Sequence, residues 1–322
     1  MRERFNELIR ASESICILGH ISPDGDCAGS TLGVFNYISC LCEKEGLKKN
    51  VRVYLEELSE KFSYLKGYEL ISHDPEEKIN YDLAIVCDCG DFARMGKFMR
   101  YAKEAKGIFC ADHHITNTGF GDSFVIKPEA SSTCEVVYDL FLKEYVDKNA
   151  AECIYTGIVH DTGVFRYSCT SAHTMEIAGE CMSLGIDFGS IIDDSFFAMT
   201  YSQKQILGRA LMESRISEDG KIVYSAIGSG IMKLYGVGKK DMDGIIDELR
   251  TTKGALCAVF MYQMITGQYK ISLRSNTDEL DVSKVAACFG GGGHVRAAGC
   301  SLSGNPEDII KKLTAKIRLQ IG

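Results

Sequence analysis

The sequence has no apolar stretch long enough to cross a bilayer, and its charged start, residues 1–7, lacks the apolar core of a signal peptide. No two of its 14 cysteines stand at the CxxC spacing that is typical of zinc and redox sites. Most of them lie inside apolar runs, which favours free buried thiols over a disulfide framework. These absences predict a cytoplasmic protein without membrane contact.

The sequence also has no cluster of basic residues, and its net charge is −8. Proteins that bind long nucleic acid usually present a basic face, so long DNA or RNA is excluded as a partner. A phosphate-bearing partner would be short and would be bound by a few local cations. The length of 322 residues and the 45% share of hydrophobic residues suit a globular protein with two domains.

Apolar runs with the length of strands alternate with helical patterns across residues 14–185. This alternation predicts an α/β fold whose N-terminal sheet is doubly wound and mostly parallel, with helices on both faces. A new strand pattern begins near residue 222 and predicts a smaller C-terminal α/β domain. We therefore expect a first domain at residues 1–185, a helical linker at 186–215 and a second domain at 216–322, with a cleft between the domains.

Titratable side chains follow the predicted strands at the points where the strands end. His20, Asp24 and Asp26 come after the first strand, Asp88 follows a later one, and the Asp-His-His sequence at 112–114 follows the next. In parallel sheets the carboxyl ends of the strands form one edge, where the working crevice lies. Several carboxylates gathered there would repel one another strongly without cations. The pattern therefore predicts a metal site at this edge.

Several of these residues also have a structural explanation that the sequence leaves open. The Pro-Asp-Gly-Asp sequence at 23–26 is favourable for a turn, and its last residue could cap the following helix. Asp88 could cap the helix expected around residues 92–106. His160, which precedes Asp161 at the end of another apolar helix, fits a core or surface role better than a functional one.

The candidate ligands are carboxylates and imidazoles, and no thiolate stands at these positions. Oxygen ligands combined with imidazole suit Mn²⁺ or Mg²⁺ better than structural zinc. The ligands are numerous enough for two metals that share one carboxylate. Two metals about 3.5–4 Å apart are a common apparatus for the hydrolysis of phosphate esters. The candidate ligands therefore indicate hydrolysis of phosphate esters by two metals.

Five motifs in this order resemble those of the DHH phosphoesterase superfamily, and together they span nearly the whole chain. They are His20-x-x-x-Asp24-x-Asp26, Asp88, Asp112-His113-His114, Asp161-Thr162-Gly163 and the glycine-rich stretch at 289–299. The last motif is similar to the signature of the DHH-associated domain. The short two-domain members of the family, which degrade very short RNA or hydrolyse cyclic di-AMP, are the most similar.

The resemblance implies two metals, expected to be Mn²⁺, although Mg²⁺ or another divalent ion would also suit the ligands. One metal would be bound by His20, Asp24 and Asp88, and the other by Asp26, Asp88, His113 and Asp161. Asp88 would bridge the metals and would be catalytic together with His114, which would face the scissile phosphate. Asp112 would support the histidines. In this family the first domain is catalytic and the second binds substrate.

The glycine-rich stretch is expected to contact substrate. Four consecutive glycines are costly to order unless the backbone approaches a ligand or adopts positive φ, and a flexible loop is the plain alternative. No Gly-Lys-Ser/Thr follows, so the stretch is not a Walker loop. The resemblance implies that the substrate is bound by Arg274, Ser275, Gly292, Gly293, His294 and Arg296.

The expected function is hydrolysis of short linear oligonucleotides, dinucleotides of the pApA type and also pAp by a Mn²⁺-dependent two-metal mechanism. A cyclic di-AMP phosphodiesterase is the main alternative, because it needs the same metals and similar nucleotide contacts. A nucleotide-binding module without catalytic activity is a further alternative for the function. The glycine-rich signature disfavours an inorganic pyrophosphatase. The sequence leaves a homodimer open.

Overall fold

The chain forms two compact units in this computed structural model, which describes residues 1–75 and 80–321. The first unit is Met1–Ala198, and the second begins at Met199. Each unit has its own sheet and its own apolar core. The predicted α/β class, with a parallel N-terminal sheet and a smaller second α/β domain, is confirmed.

The sheet of the first unit has six strands among the described residues, and each runs parallel to its neighbours. The strands are β1 (Ser14–Leu18), β2 (Asn50–Tyr54), β3 (Ile71–Ser72), β4 (Leu83–Cys87), β5 (Ile108–Asp112) and β6 (Ser123–Ile126). They lie in the order β3-β2-β1-β4-β5-β6. Successive strands β1, β2 and β3 are therefore added on one side, and β4, β5 and β6 on the other side. This reversal creates a switch point at the carboxyl ends of β1 and β4, where ligands of such sheets bind.

Helices pack on both faces of this sheet. They are α1 (Arg2–Ala11), α2 (Gly25–Glu45), α3 (Met99–Glu104), α4 (Thr133–Tyr138), α5 (Lys148–Asp161), α6 (Ala172–Ser183) and α7 (Phe188–Ile192), with a 3₁₀ segment at Phe92–Phe98 and a π-helical segment at Asp193–Phe197. Ile15 and Ile17 of β1 pack into one apolar cluster, and Cys16 and Leu18 pack into another. Because successive strand residues point to opposite faces, β1 is buried on both sides.

Helix α2 packs closely against α5 through glycines spaced four residues apart. A Cβ at Gly29 would lie 2.5 Å from the backbone carbonyl oxygen of Cys153 in α5. A Cβ at Gly25 would overlap the ring of His160, which also belongs to α5. The missing side chains therefore allow the last turn of α5 to lie beside the first turn of α2.

The sheet of the second unit is mixed. Its strands among the described residues are β7 (Arg215–Ile216), β8 (Ile222–Ile227), β9 (Cys257–Gln263), β10 (Tyr269–Ser275), β11 (Gly292–His294) and β12 (Ala297–Leu302), in the order β11-β12-β10-β9-β8-β7. The pair β8–β9 is parallel, and the other pairs are antiparallel. The helices are α8 (Tyr201–Met212), α9 (Ser229–Tyr235), α10 (Ile245–Arg250), α11 (Val282–Ala287) and α12 (Pro306–Ile321).

The segment expected as a helical linker, residues 186–215, contains α7, the π-helical segment and α8. The boundary between the units falls inside it, after Ala198. The first unit therefore includes α7, and the second begins with α8.

The expectation of no membrane contact can be compared with the length and polarity of the helices. Within the described residues, every helix is too short or too polar to span a bilayer. Helix α2 is 21 residues long, but it carries Asp26 near one end and Glu43 and Glu45 near the other.

All 14 cysteines lie in the described part of the chain, and all are free thiols. Eleven of them are buried, and Cys42 and Cys169 are half-buried. Cys288 is the single exposed thiol among the described residues. Most of the cysteines therefore serve as small apolar packing residues.

Candidate metal centre

The predicted metal ligands meet at the carboxyl edge of the first sheet, at the switch point between β1 and β4. They are contributed by the loop after β1, the first turn of α2, the ends of β4 and β5, and the last residue of α5. The structure brings together His20, Asp24, Asp26, Asp88, His113, His114 and Asp161. The parallel topology assembles the group, since its members are far apart along the chain.

His20 is oriented so that one ring nitrogen faces carboxylates. Its Nδ1 lies 2.7 Å from the backbone carbonyl oxygen of Ile21, which can only accept, so Nδ1 carries a proton. Its Nε2 lies 3.3 Å from Asp88 Oδ2 and 3.7 Å from Asp24 Oδ1. Burial lowers the pKa of His20, but the hydrogen bonds to Asp24 and Asp88 outweigh this effect and raise it to about 10. Without a metal, a protonated His20 bridges the two carboxylates. A divalent metal would take the place of the Nε2 proton, so this position fits a metal ligand.

Three carboxylates surround the Nε2 atom of His113. This atom lies 3.2 Å from Asp161 Oδ2, 3.8 Å from Asp26 Oδ2 and 3.9 Å from Asp88 Oδ1. Burial and the charge of Asp88 raise the pKa of Asp26 to about 7. Burial and the charges of Asp26 and Asp88 raise the pKa of Asp161 well above its ordinary value. The carboxylates therefore repel one another, and a divalent cation among them would relieve the repulsion.

Asp112 is fully buried and orients His114. Its Oδ1 lies 2.8 Å from His114 Nδ1, and its Oδ2 accepts a hydrogen bond of 2.8 Å from Asn117 Nδ2. Burial alone would raise the pKa of Asp112, but the hydrogen bonds from His114 and Asn117 lower it below its ordinary value. The hydrogen bond that His114 donates to Asp112 raises the pKa of His114. Since Nδ1 of His114 is occupied by this bond, Nε2 is the nitrogen that can meet a substrate.

Three groups among the described residues have ligand atoms within 4.8 Å of one another, close enough to bind a metal. They are Asp88–His113–His114, Asp26–His113–Asp161 and His20–Cys27–Asp88. Asp88 belongs to two of them, as a bridging carboxylate would. Cys27 was not predicted from the sequence, and burial raises the pKa of its thiol well above the ordinary value. Sulfur donors suit softer metals than do the carboxylates that make up most of the centre, so the suitable donors are the carboxylates and imidazoles.

The structure shows which residues cap the helices for which the sequence allowed Asp26 and Asp88 as caps. Asp24, rather than Asp26, caps α2, because its Oδ1 accepts two backbone N–H groups at 3.1 Å. Asp91, rather than Asp88, caps the 3₁₀ segment that follows β4. The helix expected over residues 92–106 is replaced by this segment and the shorter α3. Asp26 and Asp88 are therefore not the caps that the sequence allowed.

His160 is a packing residue next to the centre. Its ring contacts the rings of Phe62 and Phe196, and its Nε2 lies 3.0 Å from Ser195 Oγ. Burial lowers the pKa of His160 to about 4, with a further contribution from the charge of Lys61. A neutral His160 therefore fills the space that Gly25 leaves open.

Backbone strain is concentrated around the centre. The non-glycine residues with positive φ in the described part of the chain are Ser22 (55°), Asp88 (57°), Val164 (58°) and Phe165 (61°). Each is a predicted ligand or lies within four residues of one. Such a conformation costs about 1–3 kcal/mol and persists only where the surroundings enforce it. The β-branched Val164 is an especially uncommon case.

The predicted substrate-binding residues of the second unit lie on neighbouring strands. Ala297 of β12 pairs with Arg274 of β10 and with His294 of β11, so the three residues form one row across the sheet. The backbone N–H of Ser275 donates to the carbonyl oxygen of Arg296 at 3.0 Å. The side chain of Ser275 is buried, so its backbone is the part close to the other predicted residues.

The glycine-rich stretch forms the short strand β11, which includes the exposed Gly292 and Gly293. Gly293 has a φ of 144°, and a Cβ there would lie 2.5 Å from the carbonyl oxygen of Ala297. Only glycine fits this approach of two backbones. The stretch is therefore paired in the sheet over part of its length.

Both predicted arginines have acidic neighbours that sequence reasoning missed. Arg274 Nε lies 3.4 Å from Asp247 Oδ1, and Arg296 Nη2 lies 2.5 Å from Asp278 Oδ1. Each pair is partly exposed, and such pairs contribute only about 0–1 kcal/mol. An anionic ligand could therefore replace the carboxylate as the partner of either arginine.

Sequence reasoning also missed the contacts of Thr133 and Asn117. The hydroxyl of Thr133 donates to Asp88 Oδ1 at 3.0 Å. Asn117 bonds Asp112, as described above. The run of hydroxyl residues at 131–133 predicts a helix cap, which Ser132 provides, but nothing in the spacing indicates a contact with Asp88.

Comparison with protein families agrees with this geometry. Residues 14–158 match the sequence model of the DHH family, N-terminal domain, and residues 219–319 match that of the DHHA1 domain. The chain contains a DHH domain and a DHHA1 domain. The resemblance drawn from the motifs is thereby confirmed. The match to the DHH domain includes all the predicted ligands except Asp161, and the match to the DHHA1 domain includes all the predicted substrate-binding residues.

Relatives of this DHH–DHHA1 chain include proteins named as phosphoesterases. The bifunctional oligoribonuclease and PAP phosphatase NrnA of Thermus thermophilus is 28% identical over 301 residues, which are 92% of this chain and 87% of that protein. The cyclic-di-AMP phosphodiesterase PdeA of Listeria monocytogenes is 26% identical over 325 residues, which are 93% of this chain and 46% of that protein. The crystal structure of an exopolyphosphatase-related protein from Bacteroides fragilis has a TM-score of 0.88 at 25% identity and covers 100% of this chain and 97% of that chain.

Proposed function

We propose that this chain is a Mn²⁺-dependent phosphoesterase that hydrolyses short linear oligonucleotides, pApA-type dinucleotides and pAp. The observation that carries the proposal is the convergence of carboxylates and imidazoles at the switch point of the parallel sheet, with Asp88 at its centre. Residues 1–185 would supply catalysis, residues 216–322 would bind substrate, and residues 186–215 would join them.

The donor set supports two divalent cations that share Asp88. His20 Nε2 lies near Asp88 Oδ2 and near Asp24. His113 Nε2 lies near Asp88 Oδ1 and near Asp26 and Asp161. Oxygen and imidazole donors without a thiolate favour Mn²⁺ or Mg²⁺ over Zn²⁺. Two such cations would neutralise phosphoryl oxygens and lower the pKa of a water beside the phosphorus.

His114 is the residue that we propose for the scissile phosphate. Its Nδ1 is bonded to Asp112, which raises its pKa and favours the charged imidazole. Its side chain is 44% exposed, in contrast to the buried His20, so its Nε2 can meet a bound substrate. A charged His114 would stabilise the phosphate and could give a proton to the leaving oxygen.

The choice of a linear substrate is supported by the relatives. The oligoribonuclease and phosphatase relative aligns over most of both chains, whereas this chain spans less than half of the cyclic-di-AMP phosphodiesterase. A cyclic di-AMP phosphodiesterase is kept as the second candidate because that alignment covers 93% of this chain. We further propose a cytoplasmic enzyme, because free thiols are typical of a reducing compartment.

A turnover panel tests the proposed function. The metal-stripped protein is supplied with Mn²⁺ or Zn²⁺ and assayed with pAp, pApA, a five-nucleotide RNA and cyclic di-AMP. We expect Mn²⁺ to restore more activity than Zn²⁺, and kcat/KM for pApA to exceed that for cyclic di-AMP by at least about tenfold. Faster cleavage of cyclic di-AMP would favour the second candidate. No hydrolysis of any substrate with either metal would contradict the proposed function.

Replacement of Arg274 with alanine is expected to raise KM for pApA by about tenfold to a hundredfold, because a charge-assisted bond to phosphate contributes about 1.5–3 kcal/mol. The small ester bis(p-nitrophenyl) phosphate would keep its KM, since it lacks the second nucleotide that Arg274 would contact. Lys270→Ala is the matched control, because Lys270 lies on the same strand and the same face as Arg274. Steady-state kinetics of the two variants measure the difference. An equal change for both esters would argue against the contact.

A further inference from the structure

We infer that Thr133 is a positioning residue of the metal centre, which orients two of its carboxylates at once. Its hydroxyl would set the direction of Asp88, and its backbone N–H would help to set that of Asp26. This inference rests on the proposed metal-dependent function and adds to it a residue that binds neither metal nor substrate.

The contacts of Thr133 reach two separate parts of the centre. The hydroxyl donates to Asp88 Oδ1 at 3.0 Å, because an ionised carboxylate can only accept. The backbone N–H donates to Asp26 Oδ2 at 2.6 Å, and the next backbone N–H, that of Cys134, donates to Asp26 Oδ1 at 2.9 Å. Asp88 follows β4 and Asp26 lies in the first turn of α2, so one short segment connects both.

Thr133 is itself held firmly. It is the first residue of α4 and is fully buried, and Ser132 caps this helix by accepting the backbone N–H of Glu135. The β-branched side chain of threonine has few rotamers, which limits the directions its hydroxyl can take. The carboxylate of Asp88 is therefore anchored to a rigid point rather than to a mobile side chain.

The contact with Thr133 leaves lone pairs on both carboxylate oxygens of Asp88 available for cations. Each carboxylate oxygen has two lone pairs, and the hydroxyl uses one on Oδ1. Oδ1 also lies 3.4 Å from His114 Nδ1 and 3.9 Å from His113 Nε2, while Oδ2 lies 3.3 Å from His20 Nε2. Both oxygens thus remain able to bind a cation, one on each side of Asp88. A hydrogen bond that stops rotation of the carboxylate favours this bridging arrangement.

The expected size of the effect follows from similar sites. Removal of a side chain that hydrogen-bonds a metal ligand typically costs about tenfold to a hundredfold in metal affinity or activity. Thr133→Val keeps the shape of the side chain and removes the hydroxyl, so Asp88 Oδ1 loses its donor. The backbone bonds to Asp26 would remain. We therefore expect a loss of affinity at the shared position without loss of the fold.

The test is Mn²⁺ binding by the metal-stripped full chain, measured by electron paramagnetic resonance of free Mn²⁺. Thr133→Val should raise the Mn²⁺ dissociation constant by about tenfold to a hundredfold, and Thr133→Ser should stay close to the wild type. Activity of Thr133→Val should recover largely at saturating Mn²⁺. Thr31→Val is the matched control, because Thr31 is also buried but its hydroxyl bonds the carbonyl oxygen of Cys27 in its own helix.

The outcomes separate this inference from the proposed function. Mn²⁺ binding by Thr133→Val equal to that of the wild type would overturn the role of Thr133 and leave the metal-dependent hydrolase intact. A wild type that binds no Mn²⁺ and hydrolyses no substrate would overturn both. If Thr133→Val does not fold, the pair Thr133→Ser and Thr133→Ala makes the same comparison with smaller side chains. A weaker affinity in Thr133→Ala alone supports the inference.

Discussion

Asp88→Asn is expected to lower kcat/KM for pApA in Mn²⁺ by about a thousandfold or more, because metal catalysis contributes several kcal/mol to lowering the barrier. Asp88 is 2% exposed and has His20 at one carboxylate oxygen and His113 near the other. Asparagine has the size of aspartate but lacks its negative charge. The same change should alter the melting temperature of the metal-free protein only slightly, because it removes both the repulsion between Asp88 and Asp26 and the attraction between Asp88 and His20. Kinetics and thermal unfolding in EDTA at pH 8 measure both effects.

Asp82→Asn is the matched control for this prediction, because Asp82 lies at the opposite end of β4. Its Oδ2 accepts the backbone N–H of Ser14 at 2.9 Å, and Lys106 Nζ lies 2.7 Å from its Oδ1. The hydrogen bond from Lys106, with further bonds from Ser14, lowers the pKa of Asp82. We expect this variant to melt at a lower temperature and to keep its turnover. If Asp88→Asn behaved in the same way, Asp88 would be a structural residue.

Gly29→Ala is expected to lower the free energy of unfolding by about 3 kcal/mol, at the upper end of the usual cost of overpacking. A Cβ at Gly29 would lie 2.5 Å from the carbonyl oxygen of Cys153 and 2.9 Å from the backbone nitrogen of Gly157. These obstacles are backbone atoms of α5, which cannot rotate away, so the two helices would have to separate. Because α2 carries Asp26 and α5 carries Asp161, Mn²⁺ affinity should fall as well. Urea unfolding in EDTA and Mn²⁺ titration measure the two losses.

Gly179→Ala is the control for the general effect of replacing a helical glycine. Gly179 lies on the exposed side of α6, and a Cβ there would meet no atom within 4 Å among the described residues. This variant should gain about 0.5–1 kcal/mol, since alanine is the better helix former and restricts the unfolded chain. A cost below about 1 kcal/mol for Gly29→Ala would show that the helices can adjust easily.

The parts of the fold that were predictable follow from local patterns. The alternation of strand and helix indicates a parallel sheet, and a parallel sheet brings the residues after its strands to one edge. His20, Asp88 and His113 could therefore be assigned to one place before any coordinates were known. Both their position at strand ends and the family resemblance supported the assignment.

The parts that were not predictable depend on contacts between distant segments. Thr133 and Asp88 are 45 positions apart, and the sequence shows only a hydroxyl suited to a helix start. The Asp247 neighbour of Arg274 lies on a different element, so no spacing rule links them. The close approach of α2 and α5 likewise requires knowledge of which helices cross.

The distribution of thiols has a practical consequence for following the protein in solution. Cys288 is exposed and directly precedes the glycine-rich stretch at 289–299, while eleven other thiols are buried. Because exposed thiols react with maleimides much faster than buried ones, a fluorophore can be attached at this position in the native chain without removing any cysteine. The half-buried Cys42 and Cys169 would be labelled more slowly. The emission of such a probe would then report on the surroundings of the glycine-rich stretch when a nucleotide is added.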